Sequence, residues 1–120
     1  MSGFVLGPGE GPTYEFHGAD VVIKASGQDT AGQLSVMESS YPSALSAHPH
    51  VHAGEDEMFF VLEGELTGFC DDDRWVARAG CFVFVPRGRR HGFTVTSSGP
   101  ARALVITGPP QLDLQIAAGG

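Results

Sequence analysis

The chain has 120 residues, of which 42% are hydrophobic, and its formal net charge at neutral pH is −7. This length is typical of one compact domain with its own core, and we expect a single domain over residues 1–120. The negative charge disfavours nucleic acid and membrane surfaces as partners, because both attract basic patches.

Short apolar runs separated by glycine and proline predict a chain built of β-strands. Each run has the length of a strand and ends at a turn signal. In chain order the runs are DVVIKAS (20–26), QLSVMES (33–39), EMFFVLEG (57–64), ELTGFC (65–70), RWVAR (74–78), CFVFVP (81–86), HGFTVTSS (91–98) and ARALVITG (101–108). No window keeps helical periodicity over three turns, so little or no helix is expected. Many short strands indicate a sandwich or a barrel, and residues 41–49 are expected to form the longest irregular connection.

The cysteines and the N-terminal segment bear on the cellular compartment. Cys70 and Cys81 form no CxxC pair, which favours two buried, free thiols in a reducing environment. The N-terminal residues lack a basic region followed by a long apolar run, and no apolar stretch is long enough to span a bilayer. We therefore expect a cytoplasmic protein.

The stretch HPHVHAGEDE (48–57) concentrates side chains that can bind a metal. His48, His50 and His52 alternate, which is the period of a strand, so the three imidazoles are expected on one face. Glu57 begins the next apolar run, and His91 opens a later one. Imidazole nitrogens and a carboxylate are suitable ligands for a divalent transition metal. We therefore predict a metal site formed by His50, His52, Glu57 and His91.

The polar residues around these ligands have more than one interpretation. His48 either carries protons at the mouth of a cavity or is simply solvated. Glu55 and Asp56 are expected in solvent at the end of a hairpin. The arginines of PRGRR (86–90) either attract an anionic substrate or form a solvated turn that offsets nearby acids.

Alternation along the strands also predicts which apolar residues share the face of the ligands. Counting from Glu57 and His91, these residues are Phe59, Val61, Phe93 and Val95. They would form an apolar cavity around a polar metal, as in many small-molecule sites. A filled core without a cavity is compatible with the same residues.

Two spaced motifs resemble those of the cupin family. The first is His50-x-His52-x4-Glu57-x6-Gly64, and the second is Gly80-x5-Pro86-x-Gly88-x2-His91. The segment Glu65–Ala79 separates them, and the resemblance extends over residues 34–106. The second motif often ends with Asn where this chain has Val95, a position that is not a ligand in the family pattern.

The resemblance implies an all-β, antiparallel jelly-roll barrel that holds one divalent metal (Fe, Mn, Ni, Zn or Cu). It also implies a metal-dependent enzyme that acts on a small organic molecule. The preferred function is a dioxygenase with a flavonoid- or aromatic polyketide-like substrate. A redox-neutral cyclase or isomerase of a natural-product pathway and a non-enzymatic ligand-binding protein are the alternatives. Glu57 could act as a catalytic base by leaving the metal, with His48 as the next candidate. A homodimer is expected because small cupins commonly pair.

Overall fold

The computed structural model describes residues 3–119. Its elements are β1 (Thr13–Phe16), β2 (Ala19–Ala25), β3 (Ser35–Tyr41), β4 (Ser46–Val51), β5 (Asp56–Glu63), β6 (Glu65–Cys70), β7 (Asp73–Arg78), β8 (Phe82–Val85), β9 (Arg90–Val95), β10 (Ala101–Gly108) and α1 (Leu112–Ala117).

The strands form two antiparallel sheets. One has six strands in the order β1-β2-β3-β10-β5-β8, and the other has four in the order β4-β9-β6-β7. Neighbours in these sheets are mostly distant in sequence, as in a jelly roll, where the two sheets enclose the core. The predicted all-β jelly-roll fold is confirmed, and each of the eight predicted apolar runs overlaps a strand.

The core lies between the two sheets and follows from the strand period. In β3 and β10 every second residue is buried, as expected for strands with one face turned inward. Met37 and Val105 from the six-stranded sheet and Leu66 and Val95 from the four-stranded sheet are almost fully buried. The same period that predicted the strands therefore selects the core residues.

Three parts of the chain differ from the sequence-based expectation. The predicted irregular connection 41–49 contains much of β4, and β1 and α1 were not predicted. The helix α1 has only six residues, too few for an apolar period to show over three turns. No helix in residues 3–119 is long and apolar enough to cross a membrane.

The two cysteines are free, as predicted. The expectation that both are buried is wrong, because Cys81 is exposed and Cys70 is partly buried. Cys81 follows the Gly80 turn. Its backbone carbonyl, and not its side chain, contacts the sheet, because it accepts a hydrogen bond from the amide of Val61 (3.0 Å). Burial raises the pKa of the Cys70 thiol, with a further contribution from the nearby Asp71 carboxylate.

Candidate metal centre

The four predicted ligands meet between the two sheets. His50 on β4 and His91 on β9 are direct partners in the register of the four-stranded sheet, so their side chains share a face. Glu57 comes from β5 in the opposite sheet, and His52 follows the end of β4. One ligand atom from each of the four residues lies within 4.8 Å of all the others. The structure therefore brings together the whole set that the spacing predicted.

A β-bulge on β4 breaks the expected alternation of the histidines. Ala47 pairs with Phe93, but His50 pairs with His91, so β4 advances three residues while β9 advances two. His50 turns inward as a result, whereas His48 is exposed at the rim of the cavity. His48 lines the same cavity as His50 and His52, but it is exposed and does not belong to the four-residue cluster. Pro49 was the available signal, since proline within a strand is confined to edges and bulges, and β4 is an edge strand.

The orientation of two imidazoles follows from backbone carbonyls. His50 Nδ1 lies 2.7 Å from the carbonyl oxygen of His48, and His91 Nδ1 lies 3.0 Å from that of Arg89. A carbonyl oxygen only accepts hydrogen bonds, so Nδ1 must carry the proton in both rings. The Nε2 lone pairs of His50 and His91 are then available to bind a metal.

The distances between Glu57 and the histidines show whether a cation would fit among these side chains. His91 Nε2 lies 3.2 Å from Glu57 Oε1, and His52 Nε2 lies 3.8 Å from Glu57 Oε2. With the proton of His91 on Nδ1, its Nε2 and the carboxylate oxygen are both acceptors. Two acceptors at this distance need a proton or a cation between them. Three imidazoles and one carboxylate suit a divalent transition metal, so the residues fit that group.

Local electrostatics act differently on the two histidines of the first motif. Burial lowers the pKa of His50, and the neighbouring rings of His91 and His52 lower it further, against the hydrogen bond to the His48 carbonyl. The hydrogen bond to Glu55 raises the pKa of His52, against the effect of burial. Metal binding requires neutral imidazole, so His50 is the better prepared of the two at neutral pH.

The position of Glu55 differs from the one that the sequence predicts. Its side chain was expected in solvent, but Glu55 is only 2% exposed. One oxygen lies 3.3 Å from His52 Nδ1, and the other accepts hydrogen bonds from the amides of Gln111 (2.9 Å) and Leu112 (3.1 Å). Burial alone would raise the pKa of Glu55, but these hydrogen bonds outweigh it and lower the pKa.

Asp56 and the arginine turn form a polar rim outside the cavity. The Asp56 carboxylate is open to solvent, as expected, and it accepts hydrogen bonds from Nε (3.1 Å) and the backbone N–H (2.9 Å) of Arg87. Arg89 pairs with Asp71 at 2.6 Å, and the Arg90 guanidinium lies 5.4 Å from the centre of the Phe69 ring. These contacts support the interpretation that the arginines offset nearby acids.

A cavity of about 540 Å³ opens beside the four ligands. Phe59 and Phe93 line it, as predicted from alternation. Val61 and Val95 are buried in the core and are not among its lining residues, because they lie one step further along their strands from the ligands. The lining also includes Phe16, His17, Ser39, Tyr41, His48, Leu112, Gln115 and Ile116.

Comparison with known proteins agrees with the motifs. Residues 36–107 match the Cupin_2 family, described as a cupin domain. Quercetin 2,3-dioxygenase of Bacillus subtilis (strain 168) is 27% identical over 94 residues, which cover 78% of this chain and 28% of that protein. The matched region is thus a little over a quarter of the length of that relative.

Solved structures show the same fold. KdgF from Halomonas sp. has a TM-score of 0.81 at 16% identity, covering 94% of this chain and 99% of that chain. A predicted oxalate decarboxylase from Thermotoga maritima has a TM-score of 0.80 at 18% identity, covering 88% and 98%. At these identities the likeness establishes the fold alone. Because the family match extends over more than half of the sequence and includes all four converging side chains, the chain belongs to the cupin family.

Proposed function

We propose that this chain is a metal-dependent enzyme that catalyses the dioxygenation of a flavonoid- or aromatic polyketide-like molecule. The observation that carries this proposal is a four-ligand cluster that opens onto an apolar cavity lined by aromatic rings. The similarity to a quercetin 2,3-dioxygenase supports the oxygenase chemistry.

His50, His52, Glu57 and His91 would hold one divalent ion of Fe, Mn, Ni, Zn or Cu. Such an ion supplies Lewis acidity and, where it is redox-active, the means to activate O₂. The remaining work falls to the protein, which has to bind the substrate beside the ligands, exclude water and move protons.

The cavity walls favour a flat, largely neutral molecule. Phe93 makes edge-on contacts with the rings of Tyr41 (5.1 Å between centroids) and Phe59 (5.7 Å), which creates an aromatic wall. The volume of about 540 Å³ lies within the range of small-molecule sites. Among residues 3–119, no lysine or arginine lines this cavity. A bound metal would therefore be the main positive charge available to a small dianion.

Two side chains in the cavity can exchange protons with a bound substrate. Glu57 presents a carboxylate that can accept a proton if it moves away from the metal. Burial raises the pKa of Tyr41, and the charge of Glu57 raises it further, against a hydrogen bond with Ser39. Tyr41 therefore keeps its proton at neutral pH and can donate a hydrogen bond to a substrate oxygen.

The same pair of residues supports a redox-neutral cyclase or isomerase as the second candidate. A carboxylate acceptor and a phenolic donor in one cavity are sufficient to shift a proton on a carbonyl compound. This reaction needs no O₂, which gives a direct way to separate the two candidates.

The test begins with elemental analysis of protein purified without chelator, where we expect one divalent ion per chain. Oxygen uptake is then measured with flavonoids and aromatic polyketides, with the variant carrying both His50→Ala and His52→Ala as a metal-free control. If the wild type consumes one O₂ per substrate molecule and the control variant consumes none, the result supports the dioxygenase. Product formed under anaerobic conditions would instead establish the redox-neutral enzyme, and binding without turnover would leave a ligand-binding protein.

A further inference from the structure

We propose that Glu55 is a positioning residue that holds His52 as an Nε2 ligand and joins this ligand to the helix α1 that forms one wall of the cavity. This inference rests on the proposed metal centre, but it does not depend on which substrate the enzyme takes.

The three histidines are anchored in different ways. His50 and His91 donate from Nδ1 to backbone carbonyls two residues earlier, so their orientation is set by the strands themselves. His52 lies beyond the end of β4, and its Nδ1 faces a side chain instead, Glu55 Oε1 at 3.3 Å. Of the three histidines, His52 is therefore the one whose orientation can be changed by substituting a single partner side chain.

The chemistry of Glu55 selects one form of the His52 ring. An ionised carboxylate only accepts hydrogen bonds, so it requires the proton of His52 on Nδ1. That leaves the lone pair of Nε2 on the side of Glu57, whose Oε2 is 3.8 Å away. Carboxylate partners of metal-bound histidines act in this way on the orientation and basicity of the ring.

Glu55 is itself held rigidly by the start of α1. Its second oxygen accepts hydrogen bonds from the amides of Gln111 and Leu112, and Gln111 makes no side-chain cap for the helix. A Cβ atom added to Gly54 would lie 2.8 Å from Gln111 Nε2, so the 52–55 loop and the start of the helix are closely packed.

The helix in turn completes the cavity. Leu112 and Ile116 are buried, and both line the cavity together with Gln115. One buried carboxylate thus contacts a predicted ligand with one oxygen and the cavity wall with the other. Loss of this carboxylate should loosen the ligand and the wall at the same time.

The first experiment uses the wild-type chain loaded with zinc, which is diamagnetic and suits NMR. Long-range ¹H–¹⁵N spectra of the histidine rings report which nitrogen carries the proton and which binds the metal. We expect His52 to be protonated at Nδ1 and bound through Nε2. Zinc bound through Nδ1 of His52, or a wild-type chain that binds no zinc, would overturn the inference.

The second experiment compares Glu55→Gln with Asp56→Asn. Both variants lose one negative charge from adjacent residues, but Asp56 pairs with Arg87 and does not contact a ligand. In Glu55→Gln, the amide oxygen can still accept from the helix, and the NH₂ group then faces His52 and favours the opposite tautomer. We expect zinc affinity, measured by competition with a chelator, to fall about 10- to 100-fold in Glu55→Gln and to stay near the wild-type value in Asp56→Asn.

Two further readouts separate positioning from general stability. Ring spectra of Glu55→Gln without metal should show a changed His52 tautomer. The amides of Gln111 and Leu112 should exchange hydrogen faster, because a neutral amide oxygen is a weaker acceptor than the carboxylate that it replaces. Wild-type zinc affinity in a folded Glu55→Gln would refute the role of Glu55, and if that variant does not fold, the wild-type spectra decide. These measurements use zinc alone, so failure to find a turned-over substrate would contradict the proposed function and leave this inference in place.

Discussion

Glu57 differs from the other three predicted ligands because its carboxylate has two oxygens and can accept a proton from a substrate at little cost. It is buried between the sheets, and its two oxygens face the Nε2 atoms of His52 and His91. A carboxylate can change its binding mode at little cost, whereas a histidine with Nδ1 protonated has a single lone pair and can accept a proton only by giving up the metal. Glu57 is therefore the residue where a ligand role and a base role can be separated by substitution.

Glu57→Gln keeps the size of the side chain but removes its negative charge and its basicity. We expect kcat of the metal-saturated variant to fall by about 10² to 10⁴, which is the usual contribution of a general base. Glu63→Gln, at the exposed end of the same strand, is the control and should keep wild-type turnover. A kcat within a few-fold of wild type, with metal occupancy verified in the same sample, would refute the base role and leave the exposed His48 as the next candidate.

Tyr41 allows a prediction about alkaline pH. Its pKa is raised in the folded chain, so the folded state holds the phenolic proton more tightly than the unfolded state does. This contribution to stability is complete below the unfolded pKa of about 10 and is lost as pH rises towards the folded value. We expect Tyr41→Phe to lose less stability than wild type above about pH 10, as measured by denaturant unfolding. Tyr14→Phe, which removes the other tyrosine, is the control, and equal losses in wild type and Tyr41→Phe would contradict the prediction.

At the scale of elements, the four-stranded sheet depends on one close approach at Gly68. This residue lies on β6, where it pairs with Trp75 on β7 and with Phe93 on β9, the residue after Gly92. A Cβ atom at Gly68 would lie 2.6 Å from the carbonyl oxygen of Gly92 and would also collide with the indole ring of Trp75. Because Gly92 follows the predicted ligand His91, the packing at Gly68 bears on the position of the site as well.

Gly68→Ala should lower the free energy of unfolding by about 1–3 kcal/mol, the usual cost of overpacking, because the backbone of β9 has to move. Gly99→Ala is the matched control, since a Cβ atom there would meet no atom within 4 Å, and its effect should be within about 0.5 kcal/mol. Denaturant unfolding of both variants without metal measures the difference. Equal stability of the two would show that β6 and β9 are not as closely packed as described.

At the scale of the whole molecule, the core is independent of the metal centre. The buried apolar residues extend through both sheets, whereas the four ligands occupy one region between them. We expect the metal-free chain to unfold cooperatively, unlike a zinc finger, which needs its metal to fold. Added metal should raise the melting temperature, and more so at higher metal concentration. At a metal concentration of 100 times Kd, the free energy of unfolding should increase by about 2.7 kcal/mol. A chelated sample without a cooperative transition would contradict this prediction.

The homodimer expected from the sequence stays a prediction, and the outer face of the six-stranded sheet is where we propose that two copies meet. Phe60 and Leu62 on β5 and Phe82 and Phe84 on β8 are exposed there, the last two by 59% and 52%. Such apolar faces usually mark interaction sites. The variant with Phe82→Glu and Phe84→Glu should elute as a monomer in light-scattering chromatography, whereas Val76→Glu on the other sheet should not change the mass. A monomeric wild type would disprove the dimer.

The strands and the candidate ligands could be predicted from the sequence itself, the strands from short-range order and the ligands from their side-chain types and the two motifs that resemble those of cupins. Alternation with period two and glycine or proline at the turns are local properties of the chain. The spacing of His50, His52 and Glu57, together with the second motif ending in His91, was enough to predict which side chains meet. Phe59 and Phe93 were placed in the cavity by the same counting.

The tertiary structure alone decided the features that depend on contacts between distant segments. The bulge that exposes His48 arises from pairing between β4 and β9, and the position of Glu55 depends on a helix more than fifty residues later in the chain. Val61 and Val95 follow the alternation but lie in the core, since the depth of a residue depends on what the opposite sheet places over it. A buried carboxylate is stable where other groups donate hydrogen bonds to it. For Glu55 those donors are the amides of Gln111 and Leu112, which the residues next to Glu55 in the sequence do not indicate.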